Sequence, residues 1–577
     1  MHPVDWAIVI GVMSWIVYDG LRRTQGRDQL EGYFLANRSI PWWAAGLSVM
    51  ATQLSAITMI GTTGQGYADG MRFVQFYFGL PLAMVVLSMT LVPFFYRARV
   101  YTAYEYLERR FDAKTRSLTS FLFLVSRGLS CGVIISAPAV VMSIMLGLDV
   151  TATAFIIGVP AIIYTVFGGV QAVTWTDVKI MVLIIGGLLA TAILLVMGIP
   201  DSVGFDGAMH LAGITGRLDA LDFKWDTKET YTVWSGLIGG LFLSMGYFGA
   251  DQSQVQRYLT AKSLHAARHS LLMSAYWKIP LQVLVLLVGV LVYAFYIFTP
   301  PPMLFNRVHE ERVMQSDRAG EYAALQQRFD QTVNVRRDAA QLVTSTDSPE
   351  SQAAYLKADA ELKAVRSQAA SLVKAVSGDT NYNDANYVFP TFISKHLPIG
   401  LIGLMMVAII LAATDSIAAE LNSLSTATVI DFYKRYVRHE ASDAHYLTVS
   451  KWATAFWGVF ASLIAIWASE LGSLIEVVNR FGSYFYGSIL GVFFLAIFWK
   501  RANGTGAFVG VIAGVILVAA VASTGVAYLW LNVVGVVGVF ISGMIVSELT
   551  GGRDQGSGSR DQGSGSRDQG SGIRDQG

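Results

Sequence analysis

Roughly thirteen stretches of about twenty mostly apolar residues run through this chain, near 5–20, 43–67, 73–96, 117–147, 150–168, 175–199, 231–255, 270–298, 397–428, 449–470, 474–498, 505–524 and 527–548. A helix needs about 20 such residues to cross a bilayer, so the chain is expected to be an all-α integral membrane protein, one polytopic domain rather than a string of globular ones. Composition agrees. Of 577 residues, 53% are hydrophobic and only 14% charged, too few to cover the surface of a soluble protein. The N-terminus, MHPVDWAIVI, has neither a basic n-region nor a small-residue cleavage site, so the first stretch reads as a retained helix. Cys131 is the single cysteine, which excludes an internal disulfide framework.

Arg and Lys in short loops stay on the cytoplasmic side. Here they follow every second span: Arg22, Arg23 and Arg27 after the first, then Arg97, Arg99, Arg109, Arg110 and Lys114 after the third. Arg257, Lys262 and Arg268 follow the seventh, Lys434, Arg435 and Arg438 the ninth, and Lys500 with Arg501 the eleventh. An odd number of spans is therefore expected, in the plasma (inner) membrane, with the N-terminus outside and the C-terminus cytoplasmic.

Two segments lie outside this pattern. Residues 302–390 are polar and rich in Ala, Leu, Gln and charge at helical spacing, as in "EYAALQQRFDQTVNVRRDAAQLV", with "TSTDSPES" as a break. They are expected to form an extracytoplasmic helical hairpin, read first as a tolerated loop elaboration and second as a vestibule cap or a surface for an unknown partner. The tail 551–577 repeats "RDQGSGS" and is expected to be disordered.

The second span reads "SVMATQLSAITMIGTTGQGYADG", with hydroxyls and glycines where lipid favours Leu and Ile. In hydrocarbon every backbone amide must be paired, so an interrupted helix survives only against protein or a water-filled cavity. Five spans later, "IGGLFLSMGYFGADQSQVQR" repeats the signature with Gly239, Gly240, Gly246 and Gly249. Paired interruptions at matching positions point to an inverted-repeat secondary transporter with its site at the breaks. Glycine-packed helix contacts are the alternative. Carboxylates sharpen the case, because each costs about 2.5–3.5 kcal/mol at mid-bilayer. Asp177 opens the sixth span, and Asp415 and Glu420 lie inside the ninth, where Ala412, Ser416 and Glu420 share one i, i+4 row. Such hard oxygens suit a hard cation. Arg127, in the fourth span, is expected to pair with one of these acids or to face an anionic substrate.

The motifs "ATQLSAITMIGTTGQGY", "YTAYEYLERRF", "FGGVQAVTWTDV", "DQSQVQRYLTAKS", "LNSLSTATVIDFYKR" and "GSILGVFFLAIFWKRANGTGAFVG", in this order, resemble the sodium:solute symporter family from about Tyr33 to about Gly510. The resemblance implies thirteen helices around a leucine-transporter-type core, a five-plus-five inverted repeat, and inward sodium flow coupled to uptake of a small polar solute, a sugar, polyol or organic anion. It divides the chain into 1–42, an extra helix and basic loop; 43–301, the first repeat and the start of the second; 302–390, the insertion; 391–502, the rest of the second repeat; 503–550, two further helices; and the tail. The family's common sodium site falls on Ala51, Leu54, Ala412, Asp415 and Ser416. Relatives carry Ser or Thr at Asp415, so a carboxylate there leaves proton coupling open.

The resemblance places a second cation or proton site near Asp177 and Glu420, although Ala419 lacks the hydroxyl of the known arrangement. Tyr247 matches an inner aromatic gate and Asn479 a polar substrate contact. Thr58, Gln75, Phe76 and Ser244 complete the expected pocket. A sugar-coordinating acid of relatives falls on Tyr77 and its neighbour on Leu80, which argues against galactose-like binding.

Rival classes are weaker. All eight histidines (His2, His210, His265, His269, His309, His396, His439 and His445) lie in loops or at span ends, so no intramembrane imidazole pair supports a metalloenzyme. No P-loop supports an ATP-driven pump. A channel or sensor on a transporter core remains the other alternative. The implied partners are lipid and a small solute, with sodium as the coupling ion, no organic cofactor and no nucleic acid. A monomer is the expected functional unit.

Overall fold

The computed structural model describes residues 2–22, 34–146, 148–378, 382–468, 471 and 473–551. Residues 23–33, with Arg23 and Arg27, and nearly all of the repeat tail fall outside these. Among the described residues the secondary structure is helical, apart from one isolated bridge between Ile40 and Ala261.

In chain order the helices are α1 Pro3–Arg22, α2 Trp42–Gln53, α3 Thr63–Asp69, α4 Leu80–Met89, α5 Leu91–Ala98, α6 Glu105–Arg110, α7 Ala113–Leu146 and α8 Val150–Met197. Then come α9 Gly204–Ile214, α10 Gly240–Ala250, α11 Gln252–Leu259, α12 Leu264–Phe298, α13 Arg307–Met314, α14 Ala319–Ser345 and α15 Pro349–Ser377. The last are α16 Ala385–His396, α17 Leu401–Ala427, α18 Asp443–Ala468, α19 Leu474–Phe498, α20 Gly504–Ala522 and α21 Tyr528–Leu549. Nine helical runs among the described residues are long and apolar enough to cross a membrane, and three shorter apolar helices join them: Pro3–Ile16, Val150–Ile163 and Ser235–Ala250. One of the nine, Thr58–Ala98, spans parts of two expected segments. All thirteen apolar stretches therefore fall on helices.

The helical run of α8 contains two expected spans. At 48 residues a straight rod would measure about 72 Å, more than twice a bilayer core. Its two ends run antiparallel to different partners, the first to α18 and the second to α17. Gly158 meets Ser462 and Ile162 meets Gly458, whereas Asp177 lies against Asp415 and Gly187 against Met405. Its two apolar stretches are Val150–Ile163 and Val173–Met197.

Both interruptions are present, but glycine does not make them. The first falls at Leu54 (φ −93°, ψ 62°) and Ser55, after which the chain re-enters helix through a π-helical turn, Thr58–Thr62. The second falls at Asp251 (φ −84°, ψ 122°), which caps α11 by accepting from the Ser253 amide. The glycines have the packing role named as the alternative. A Cβ on Gly64 would lie 2.2 Å from the Ala385 carbonyl oxygen, and one on Gly66 2.4 Å from that of Leu286. Small residues here let α12 and α16 touch the second half of the broken helix.

Helix α1 is pinned to the core by one carboxylate. Asp5, fully buried, accepts from the amides of Gly400 at 2.7 Å and Gly403 at 3.1 Å, which satisfies donors at the start of α17. Between α12 and α16, α14 and α15 form a hairpin with its own apolar core of Phe329, Val333, Leu362, Val365 and Ala369. A capping box between Ser348 and Ser351 starts α15.

Candidate cation and solute site

Two buried ionic clusters and one cavity meet at the broken helices. In the first cluster, Asp177 of α8 accepts from the Ser48 hydroxyl of α2, and Arg257 of α11 donates to Ser48 at 3.0 Å and to Asp177 at 3.3 Å. Asp415 of α17 faces Asp177. With both carboxylates ionised, the single guanidinium leaves one negative charge uncompensated. The oxygens are unsatisfied as well: both carboxylate oxygens of Asp415, Oδ1 of Asp177 and the Ser416 hydroxyl have no hydrogen-bond partner. Buried polar atoms are normally paired, so four orphan oxygens on adjoining helices make this the candidate cation site. Helix α2, which carries Ala51 and ends at Leu54, packs against α17. Ala51, Leu54, Ala412, Asp415 and Ser416 are all at most 2% exposed. The Ala51 carbonyl accepts from the Leu54 amide at 3.0 Å and keeps a second lone pair. These residues fit a hard monovalent cation, which would restore neutrality.

The second cluster uses every nitrogen of its guanidinium and leaves one oxygen, Oε2 of Glu420, without a partner. Arg127 of α7 donates from Nε to Asp251 at 2.5 Å, from Nη1 to Glu420 at 2.8 Å and from Nη2 to the Tyr486 hydroxyl at 2.5 Å. The Tyr247 and Tyr486 rings cover the guanidinium at 4.9 and 5.5 Å. Glu420 is thus placed with Arg127 and not beside Asp177. Asp251 accepts further from the Ser253 hydroxyl at 2.6 Å, so the second helix break is tied to Arg127.

A cavity of about 100 Å³ adjoins this cluster and the first break. Thr58, Phe76, Ser244, Tyr247 and Asn479 line it, with Arg127 and Glu420. Gln75 does not. Its amide donates to the Tyr231 carbonyl at 3.0 Å and accepts from the Asp222 amide at 2.9 Å, so it holds a loop in place. Lys278, in the midst of α12, also lines the cavity, 1% exposed. Its ammonium approaches the Gln53 carbonyl at 3.4 Å and the Tyr77 ring at 5.5 Å, with no carboxylate partner among the described residues. Ser48, Asp251, Arg257 and Lys278 were not among the sequence candidates. The signal for Lys278 is a lone cation in an apolar run, "SAYWKIPLQVL". Arg257, read as a loop charge, is 2% exposed and belongs to the cation cluster.

The sodium:solute symporter family model matches residues 33–326 and 366–514. The chain belongs to the sodium:solute symporter family. It is a transporter and not an enzyme. Within the family it is 26% identical over 521 residues to a sodium/glucose cotransporter of Vibrio parahaemolyticus, covering 88% of this chain and 82% of that one. It is also 26% identical over 556 residues to a sodium/sialic acid symporter of Proteus mirabilis, covering 95% of each. Among solved structures, a Na+-coupled sialic acid symporter in a substrate-bound outward-open state superposes with a TM-score of 0.74 at 24% identity, over 95% of this chain and 98% of that one. The fold is therefore the leucine-transporter type with its inverted repeat, and sodium is the family's coupling ion. The family model leaves out 327–365, most of the hairpin.

Proposed function

We propose that this symporter couples inward sodium flow to uptake of a small organic anion by alternating access in the inner membrane, with the N-terminus outside and a single chain sufficing. The observation that supports the anion is Lys278, an unpaired buried ammonium beside the broken helix. A buried cation without a partner is costly, and a carboxylate in the cavity removes that cost. Tyr77 and Leu80 at the cavity wall offer no acid to a sugar, and one relative's named solute, sialic acid, is itself a carboxylate.

Sodium binds first in this mechanism, at Asp177, Asp415, Ser416 and the carbonyls near Ala51 and Leu54. It draws α2 to α17 and α8, which sets the first half of the broken helix and shapes the cavity for solute. One monovalent cation moving down 100 mV supplies about 2.3 kcal/mol. A tenfold gradient adds about 1.4 kcal/mol, and the sum of roughly 3.7 kcal/mol supports several-hundredfold accumulation of a neutral solute. An anion carried with one sodium ion moves no net charge, so only the concentration term remains and accumulation falls to about tenfold unless a second cation accompanies it. Proton coupling is the second reading, favoured by the facing carboxylates Asp177 and Asp415.

Uptake into proteoliposomes from a panel of monocarboxylates, sugars, polyols and amino acids, with sodium or choline, tests the proposal. Sodium-dependent uptake of a monocarboxylate, weakened at least tenfold in KM by Lys278→Met, is expected. Uptake confined to neutral sugars, or a Lys278→Met variant with unchanged KM, contradicts it.

A further inference from the structure

We infer that the cavity between the inserted hairpin and the second half of the broken helix binds a small carboxylate anion, at a site separate from the central one. This cavity measures about 350 Å³. Its walls come from α14 and α15, from Tyr67 of α3, from the end of α12 and from the turn that carries Arg217. Four cations line it, Arg217, Arg336, Lys363 and Arg366, against two carboxylates, Asp359 and Asp384. Asp69 faces Arg217 from the rim, held by the Gln65 amide at 2.6 Å, and reduces this surplus without cancelling it.

The acids are already committed. Asp359 accepts from Lys363 at 3.0 Å, from Arg336 at 3.4 Å and from the Tyr293 hydroxyl at 2.9 Å, and Asp384 accepts from Arg366 at 2.9 Å. Donors remain. Nε of Arg336 and the Tyr382 hydroxyl have no acceptor, although their residues are 2% and 7% exposed. Unpaired buried donors beside surplus guanidinium charge fit the planar, two-oxygen acceptor that a carboxylate presents.

Position gives the site a consequence. Arg217 donates from Nε to the Tyr67 carbonyl at 3.0 Å, and Arg366 reaches the Tyr67 hydroxyl at 3.4 Å. An anion held here joins the hairpin to the half-helix that must move during alternating access. Arg336, Asp359 and Lys363 lie in the stretch that the family model omits, so part of the site comes from this chain's own insertion.

The inference stands whether or not the central cavity takes an anion, and Lys278→Met separates the two. Thermal unfolding of the purified full-length protein is followed against acetate, with acetamide as neutral control at constant chloride. A saturable acetate-dependent stabilisation is expected in the parent and in Lys278→Met. Its half-saturation concentration should rise about tenfold in Arg336→Gln and roughly fivefold in Tyr382→Phe, which removes one hydroxyl and leaves the hairpin core intact. Equal responses in the parent and Tyr382→Phe, equal effects of acetate and acetamide, or loss of the response in Lys278→Met would each overturn it. Two sources of the carboxylate are then distinguished by uptake. If the transported solute itself visits the site, Tyr382→Phe raises KM without lowering the saturated rate. If a separate anion does, acetate changes the rate of uptake of another solute without being accumulated.

Discussion

The two buried ionic clusters both set two carboxylates against one guanidinium, yet they differ in how many of their atoms are paired. Around Arg127, each guanidinium nitrogen has its own acceptor, two of them carboxylates, and two aromatic rings exclude water. Around Asp415, two carboxylates face one another and four oxygens have no donor. Burial and formal charge therefore do not separate the two; unmet hydrogen-bonding capacity does, with four oxygens around Asp415 against one, Oε2 of Glu420, around Arg127. The Arg127 cluster ties α7 to α17, α19 and the second break, as a structural clamp. In the other cluster Ser48, Asp177 and Arg257 already join α2, α8 and α11, and the proposed cation would add α17 through Asp415 and Ser416.

This contrast makes opposite predictions for removing one charge. Arg127→Met strands Asp251 and Glu420, and should destabilise the protein by about 3–5 kcal/mol, read as thermal unfolding in detergent. Adding Glu420→Gln and Asp251→Asn to that variant should restore much of the loss. Asp415→Asn removes a repulsion instead. In sodium-free buffer its unfolding temperature should equal or exceed the parent's, while the stabilisation by sodium, about 1.4 kcal/mol at ten times the dissociation constant, should vanish. A similar fall in stability for both variants would erase the distinction between clamp and receptor. Ser416→Ala sharpens it at smaller scale. Loss of one neutral ligand should raise the sodium concentration for half-maximal uptake roughly fivefold, with unfolding unchanged.

The smallest effect concerns the hairpin. Burial pushes the Asp359 carboxyl up, but Arg217, Lys363 and Arg336 together hold it below its usual 3.8. With the folded value below the unfolded one, the ionised contribution is complete above about pH 4 and lost only as pH falls through the folded value. Hydrogen-exchange protection of α14 and α15 should therefore stay flat between about pH 5 and 8.

The breaks were legible in the sequence because hydroxyls and carboxylates are expensive in lipid, and that cost is a property of composition. Their positions were less so. Glycines near 61–66 drew attention, yet the chain unwinds at Leu54 and Ser55, and the glycines serve close approach to α12 and α16. Gln75 shows a second limit. It lies within a 3-10 turn, Gly70–Tyr77, and its side chain turns to the Asp222 and Tyr231 backbone, a direction no periodicity encodes. Arg257 was hidden for a third reason. A charge just past an apolar run reads as a loop residue until the second break brings it beside Asp177.

Radiolabelled sodium flux into proteoliposomes, with and without solute, tests the receptor most directly, with the parent, Asp415→Asn and Ser416→Ala side by side. Solute-stimulated sodium uptake in the parent, sharply reduced in Ser416→Ala and abolished in Asp415→Asn while both variants unfold at the parent's temperature or above, is the result this structure predicts. Sodium flux that keeps its size and solute dependence in Asp415→Asn would place the coupling ion elsewhere.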